Sequence, residues 1–324
     1  MPQPRMSVVV LTWNEERSIA ACLGSLAAQS EQLIEVIVVD AASTDGTVAA
    51  VRAAQRSFPV PLRLVDAPHR LPIGEARNLG VAVARADAVA FLSADAELDP
   101  NWAARALQAL EGHDMAFSRQ VHAPRRWGVG AAVRGLRYAF PESRVEQPLR
   151  YASNVAAAYR KNILLQHPFD PWANAAEDLL LARRAVRDGA SATYDPALVV
   201  HHHDVGSARA ELRKNLREGI GCAMYASTIG WPAHASWGIA LAALLLLVVA
   251  FPTPAALLAL MVLLWLPTLR RALRPHKGMP AMARVLGVLL SPIFDLVFLA
   301  GLVAGATSRA PGGPQETPGP EPGH

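Results

Sequence analysis

Over the first two hundred residues, short runs of β-branched and apolar side chains alternate with stretches whose apolar residues recur three or four apart. Ser7–Thr12 (SVVVLT), Val36–Asp40 (VIVVD), Leu62–Val65 and Ala88–Ser93 (AVAFLS) predict strands; Glu15–Ala28, Thr44–Ala54 and Ile73–Ala84 predict helices. Continuous apolar strands interleaved with helices predict an α/β fold with a mainly parallel sheet covered on both faces. Ligands of such sheets sit beyond the carboxyl ends of the strands, where Asn14, Asp40 and Asp95 fall.

The pattern then changes. From Gly219 to Leu269 there is no Asp, Glu, Lys or Arg. Trp231–Phe251 is long enough to span a bilayer, with Trp231 and Trp237 as interfacial anchors. Pro252 to Pro254 break it, and Ala255–Leu269 follows as a second span. A loop with Arg270, Arg271, Arg274, Lys277 and Arg284 but no acid precedes a third apolar stretch, Val285–Ala306, which Pro292 and Asp295 interrupt. By the positive-inside rule that loop is cytoplasmic, so the first two spans form a hairpin in an inner membrane and the front of the chain stays inside. Met1 to Arg5 carry no charged-then-apolar signal, in keeping with that. Whether the third stretch crosses or re-enters is open. Ser207–Tyr225 reads as a basic amphipathic helix that either lies at the lipid surface or packs under the α/β part. The expected organisation is 1–206 catalytic, 207–228 juxtamembrane, 229–307 membrane (two to three spans) and 308–324 a disordered Pro/Gly-rich tail.

Composition narrows the functional classes. An apolar fraction of 52% with only 18% charged residues favours a membrane partner. Thirty-one basic against 27 acidic residues is too small an excess to argue for nucleic acid, but suits an anionic lipid surface or a nucleotide diphosphate. Cys22 and Cys222 lie far apart, which indicates neither a disulfide framework nor a thiolate metal site.

Four clusters carry candidate chemistry. Thr12-Trp13-Asn14-Glu15-Glu16 offers an aromatic ring to stack on a base and a carboxylate for a base or ribose; its plain alternative is a helix cap. Asp40 ends a buried strand, where an acid needs a partner such as the imide N–H of uracil or thymine, unless Asp40 and Asp45 only cap the next helix. Arg77, near a helix start, is placed to hold phosphate, and Asp95 to act as a hard oxygen ligand for Mg²⁺ or Mn²⁺. Glu177-Asp178 heads a helix, where acids also have a dipole explanation. Behind it, His201-His202-His203 follow the strand-like run ALVV, and alternation sends His201 and His203 to one side, where a metal can use one of them.

The motifs VVVLTWNEE, IVVDAASTDGT, GEARNLG, FLSADA, SNVAAAYR, AEDLLLARRA and VVHHH stand in the order found in family-two glycosyltransferases of the GT-A type. The resemblance covers roughly residues 6–225. It implies a nucleotide-binding α/β sandwich and transfer with inversion, in which Thr12, Trp13, Glu15 and Asp40 bind the nucleoside and Arg77 lies near the diphosphate. Asp95 is then the metal-binding acid of the DxD motif, Asp178 the general base, and His201 or His203 completes the metal site. The first acid of DxD is Ser93 here, so the donor and metal site rests on fewer carboxylates. A further similarity to rhamnosyltransferase-type members implies that Arg119, Gln120, Ser153 and Asn154 line the donor or acceptor pocket, and Glu177 beside Asp178 is a further candidate for positioning the acceptor. No QxxRW follows Glu177-Asp178, which disfavours a processive synthase. The membrane segments point to a lipid-linked saccharide acceptor, hence to cell-surface polysaccharide or glycolipid synthesis. Two rivals stand beside this reading. A nucleotidyltransferase needs a Gly-rich basic loop where this chain has TWNEE, and a non-catalytic membrane scaffold leaves the ordered acids unexplained.

Overall fold

The computed structural model describes residues 5–124, 127–137, 140–143, 145–203, 207–226, 253–272 and 279–307. Eight strands run β1 (Met6–Thr12), β2 (Leu33–Asp40), β3 (Leu62–Asp66), β4 (Ala88–Ser93), β5 (Ala96–Leu98), β6 (Met115–His122), β7 (Ala156–Arg160) and β8 (Ala192–His202). They form one sheet in the order β3-β2-β1-β4-β7-β6-β8-β5. The first four pair in parallel; β7 is antiparallel to both β4 and β6, β6 is parallel to β8, and β5 is antiparallel to β8. The sheet is therefore mixed, and the expectation of a mainly parallel one holds for its first half. Alternate residues of each central strand enter opposite cores. Val8 and Val10 pack on one face with Ile19 and Leu26, Val9 on the other with Phe91, Val81 and Leu181. Burial on both faces is why these strands read as unbroken apolar runs.

Helices α1 (Ile19–Ala27), α2 (Thr47–Gln55), α3 (Ile73–Val83), α4 (Trp102–Gly112), α5 (Val129–Arg137), α6 (Lys161–Gln166) and α7 (Glu177–Arg187) cover the sheet. The first helix begins at Ile19 rather than the expected Glu15, because Asn14 takes a positive φ of 59° and the next residues form a turn closed by Ser18 N–H on the Glu15 carbonyl.

Among the described residues three further helices follow: α8 (Ala208–Met224), α9 (Pro254–Ala272) and α10 (Ala281–Thr307). The expected first span, Trp231–Phe251, lies outside the described residues, as do Arg274, Lys277 and the Pro/Gly-rich tail. The second coincides with α9. Among the described residues one helix, α10, is long and apolar enough to cross a membrane, with a mean hydropathy of 2.3 over Ala281–Ala306. Helix α8 packs against α10 and α5, and its Glu211 is buried with Arg134 of α5, whose Nε donates to Glu211 Oε2 at 3.0 Å.

Candidate active site

At the carboxyl ends of β1 and β2 two loops are tied together by side chain to backbone bonds. The Asn14 N–H donates to Ser43 Oγ at 2.8 Å, Thr44 N–H returns to Asn14 Oδ1 at 2.8 Å, and Glu15 N–H donates to Thr47 Oγ1 at 2.7 Å. Asp45 accepts from the N–H of Thr47, the first residue of α2, at 3.0 Å, while the N-cap position itself is Gly46. Asp40 departs from its expected place. It is fully buried, and its carboxylate accepts from the hydroxyls of Thr12 and Ser43 and from Ser43 N–H. With both oxygens engaged by Thr12 and Ser43, Asp40 ties the ends of β1 and β2 to the loop after β2.

Above these loops lies a cavity of about 230 Å³ lined by Thr12, Trp13, Glu15, Arg70, Arg77 and Ser93, among others. Trp13 is 46% exposed, and the Arg70 guanidinium sits 3.1 Å from its ring centroid. Burial pushes the Glu15 carboxyl up to about 7, helped by the charges of Asp95 and Asp45 and opposed by a bond from Ser18.

A second cavity of about 420 Å³ adjoins the first and shares Ile73, Arg77, Ser93 and Asn154 with it. Gln120, Ser153, Glu177 and Asp178 line it. Helix α3 brings Arg77 to the junction by close backbone approach: a Cβ at Gly74 would lie 1.8 Å from the Asp170 carbonyl oxygen, and one at Gly80 would lie 2.4 Å from Val9 Cγ1. Arg77 makes a buried ion pair with Glu177, and its Nε has no hydrogen-bond partner. Ala176, at a strained φ of 60°, opens α7 and aims Glu177 and Asp178. The two acids do different things. Glu177 is taken up by Arg77, whereas Asp178 accepts from the backbone N–H groups of Leu179 at 2.8 Å and Asn154 at 3.2 Å. Burial first, then the charge of Glu177, pushes the Asp178 carboxyl up to about 6, against the pull of Arg77 and these two bonds. Asn154 in turn accepts at Oδ1 from the Tyr159 hydroxyl at 2.6 Å, which leaves its buried Nδ2 unpartnered at the junction.

Three expected positions, Arg119, His201 and His203, fall elsewhere. Arg119 lines neither cavity; its guanidinium bonds the Pro196 carbonyl at 3.0 Å and Glu142 at 3.2 Å. The histidine parity also needs correcting. His201 pairs with Asp99 at 2.8 Å and His203 with Glu97 at 2.9 Å, because β8 lies beside β5 with Glu97 opposite His201. The even-numbered His202 turns inward, lines the larger cavity and meets Asp95 Oδ2 at 3.1 Å. Burial raises the Asp95 pKa, but the charge and bond of His202, the Ser93 hydroxyl and Lys214 outweigh it and hold the carboxyl well below its usual range. Asp95 Oδ1 is buried with no hydrogen-bond partner within ordinary distance. Among the described residues no group of three or more His, Cys, Asp or Glu converges as a metal site. Asp95 and His202 alone offer one open carboxylate oxygen, which fits a cation that takes its other ligands from phosphate and water.

Sequence reasoning passed over Arg70, His122, His202, Arg134, Lys214 and Arg217, all of which line one or other cavity. Lys214 and Arg217 had a signal, since residues three apart on the basic helix share a face.

Residues 7–166 match the model of a family described as Glycosyl transferase family 2. The succinoglycan biosynthesis protein ExoO of Rhizobium meliloti is 27% identical over 231 residues, 65% of this chain and 64% of that one. The amylovoran biosynthesis glycosyltransferase AmsB of Erwinia amylovora is 37% identical over 92 residues, 28% of this chain and 31% of that one. The chain thus spans less than two thirds of these relatives. Among solved structures, the mannosyltransferase PcManGT of Pyrobaculum calidifontis, in complex with GDP-Man and Mn²⁺, superposes with a TM-score of 0.63 at 22% identity, covering 93% of this chain and 87% of that one. At that identity the likeness speaks for the fold.

Proposed function

We propose, from the premise that the chain is a member of the family 2 glycosyltransferases with a GT-A type sheet, that it moves a sugar from a UDP- or dTDP-sugar to a lipid-linked saccharide with inversion. The observation that carries this is Asp178, a half-buried carboxyl with its pKa lifted to about 6, set in a cavity that opens into a second one bearing Trp13 and Arg77. The naming of two relatives for succinoglycan and amylovoran biosynthesis supports a role in cell-surface polysaccharide or glycolipid assembly.

In this reading the nucleoside lies against Trp13 and Glu15, and the diphosphate faces Arg77. Asp178 takes the proton of the acceptor hydroxyl as that oxygen attacks the anomeric carbon from the face opposite the nucleotide, and the bond to the diphosphate breaks. Arg77 stabilises the charge that the leaving diphosphate gains. Asp95 and His202 would hold a divalent ion, Mn²⁺ or Mg²⁺, which supplies further positive charge to that leaving group. The acceptor is lipid-linked because the apolar α10 supplies Phe298 to the wall of the larger cavity. The site then lies on the cytoplasmic side of an inner membrane that the chain enters more than once.

Incubating the purified chain with a panel of nucleotide sugars and membrane lipid extract tests the reading. Labelled sugar should enter the lipid phase with an inverted anomeric centre by NMR, stop with chelator and resume with Mn²⁺ or Mg²⁺. Full transfer in chelator removes the metal, and a retained anomeric configuration removes Asp178 as base. Thermal stabilisation by nucleoside triphosphates alone would favour a nucleotidyltransferase instead. For topology, a reporter after Thr253 should read periplasmic and one after Lys277 cytoplasmic; one compartment for both would remove the hairpin.

A further inference from the structure

The two faces of α10 are both apolar but meet different surroundings. Gly287, Ser291, Asp295, Phe298, Gly301 and Gly305 are buried, whereas Met282, Val285, Leu289, Ile293, Leu296 and Val303 are exposed. The buried set recurs three or four residues apart, and so does the exposed set once the exposed Ala300 between Leu296 and Val303 is counted, so the exposed residues form one stripe along the helix. Where a helix faces water this stripe would be polar; here it is Met, Val, Leu, Ile and Ala throughout.

The buried face is docked on the catalytic part at both ends. A Cβ on Gly287 would lie 2.7 Å from the Ala132 carbonyl oxygen of α5. On Gly301 it would lie 2.3 Å from the Leu216 carbonyl oxygen, and on Gly305 2.5 Å from that of Ile220, both in α8. Gly287 and Gly305 are about 27 Å apart along a helix that rises about 1.5 Å per residue. That is nearly the whole thickness of a hydrocarbon core, about 30 Å. A helix crossing the bilayer would therefore carry either α5 or α8 across with it. Helix α8 exposes Arg209, Arg213 and Arg217 and holds the buried ion pair of Glu211 with Arg134. Such a face cannot sit in lipid.

We infer that α10 does not cross the membrane but lies flat in the headgroup region of an anionic leaflet. The Met282–Val303 stripe is sunk towards the acyl chains, and α5 and α8 ride on the opposite face. This deepens the membrane reading proposed above and rests on it. The choice of lipid over a protein partner follows from charge: Arg270 and Arg284 are exposed at the same end of the helix pair, in a segment without acids that also carries Arg271, Arg274 and Lys277. Helix α9 ends at the same place, its final residue, Ala272, packing with Met279, Ala283 and Ala132 beside the catalytic part. Because α10 also contributes Phe298 to the larger cavity, the leaflet surface lies beside the place where the acceptor enters.

Nitroxide depth measurement in liposomes of phosphatidylcholine and phosphatidylglycerol tests this on the full chain. Cysteines are placed singly at Val285, Leu289, Ile293, Leu296 and Val303, with Cys22 and Cys222 retained and the unsubstituted chain as blank. The expected result is one shallow depth for all five positions, within a few ångströms. A profile with Ile293 deepest and Val285 and Val303 near opposite surfaces would overturn it, as a crossing helix requires. So would uniform access to water-borne relaxant, which would mean that the stripe is covered by nothing apolar, and so would uniform shielding from both oxygen and water-borne relaxant, which would put a protein surface or another part of this chain on it. Failure of the chain to enter the liposomes would overturn the membrane reading as well, and leaves the sugar-transfer reading to its own assay. Each position reads separately, so one variant that fails to fold does not remove the test.

Discussion

The smaller cavity and the larger one adjoin, yet they are built in opposite ways. Every residue lining the smaller cavity except Asn154 comes from the first 93 positions, from strand ends, the loops that follow them and the first turns of α3. The larger draws its walls from positions 73 to 298, and so from α3, the β6–β8 half of the sheet, α7, α8 and α10. Its lining is also more charged, with Arg134, Arg150, Lys214 and Arg217 as well as Glu177, Asp178 and Glu218. The contrast teaches a division of labour. On the proposed reading, a pocket for the donor is made locally, whereas the pocket proposed for the acceptor is assembled from distant segments, including an apolar helix outside the sheet. Four perturbations set the two halves against each other.

The largest effect belongs to the acceptor half. Asp178→Asn keeps the shape of the site and removes the base, so kcat should fall by on the order of 10²–10⁴-fold. Donor binding should hardly change, because Asp178 lines only the larger cavity. Calorimetric UDP affinity beside single-turnover rates checks the split. Near-normal turnover would mean that the Glu-Asp pair is only a helix start.

Glu177→Gln should act on stability instead. Its partner Arg77 is buried, and breaking such a pair strands a charge at a cost of about 3–5 kcal/mol. Denaturant unfolding should show most of that loss, and Arg77→Met in the same chain should recover part of it. If Glu177→Gln unfolds like the parent and is inactive, Glu177 rather than Asp178 faces the acceptor.

This pair also shows how far the sequence could be read. Apolar runs gave away β1, β2 and β4, because strands buried on both faces have no other composition open to them. Strand β7, an alanine-rich AAAYR, and the half-polar β6 carry no such signal; their place is set by pairing with distant strands. Among site residues, Asp178 stood in a local motif and was found at a cavity wall. Asp40 stood in one too, but nothing local could say that Thr12 and Ser43 would occupy its oxygens. His202 was missed because alternation fixes which histidines share a face and not which face is inward; the register of β5 on β8 decides that. The contribution of α8 to the larger cavity depends on its docking against α5 and α10, for which the chain offers small residues but no local pattern.

A third test uses pH. A base must be ionised, and the Asp178 pKa is raised to about 6, so kcat should fall tenfold per unit as pH drops below that value. The same shift bears on stability with the opposite sign. The folded chain holds this proton where the unfolded chain has lost it, so between about pH 4 and 6 the contribution of Asp178 to stability falls as pH rises. Steady-state rates with UDP-sugar at saturation locate the limb. A limb near 4 would mean that Asp178 is solvated when substrates bind.

The smallest expected effect returns to the donor half. Trp13 is half exposed at the mouth of the smaller cavity, and Arg70 already lies on its ring. Base stacking on an aromatic is worth about 1–3 kcal/mol. An exposed cation–π contact such as that of Arg70 is worth about 0.5–1 kcal/mol. If the nucleoside displaces Arg70, the two nearly offset and the net gain is about 1 kcal/mol, or roughly fivefold in Kd. Trp13→Ala should therefore weaken UDP or dTDP binding by about that factor, Trp13→Phe by less, and neither should change the rate of the chemical step in single-turnover experiments. Isothermal titration of the free nucleotide gives the number directly. A loss of a hundredfold would mean that the ring is held on both faces by groups that the nucleotide brings into order. No loss at all would place the base elsewhere in the cavity, against Glu15, and would leave Trp13 as a cover for the loop that Asn14 and Ser43 tie down.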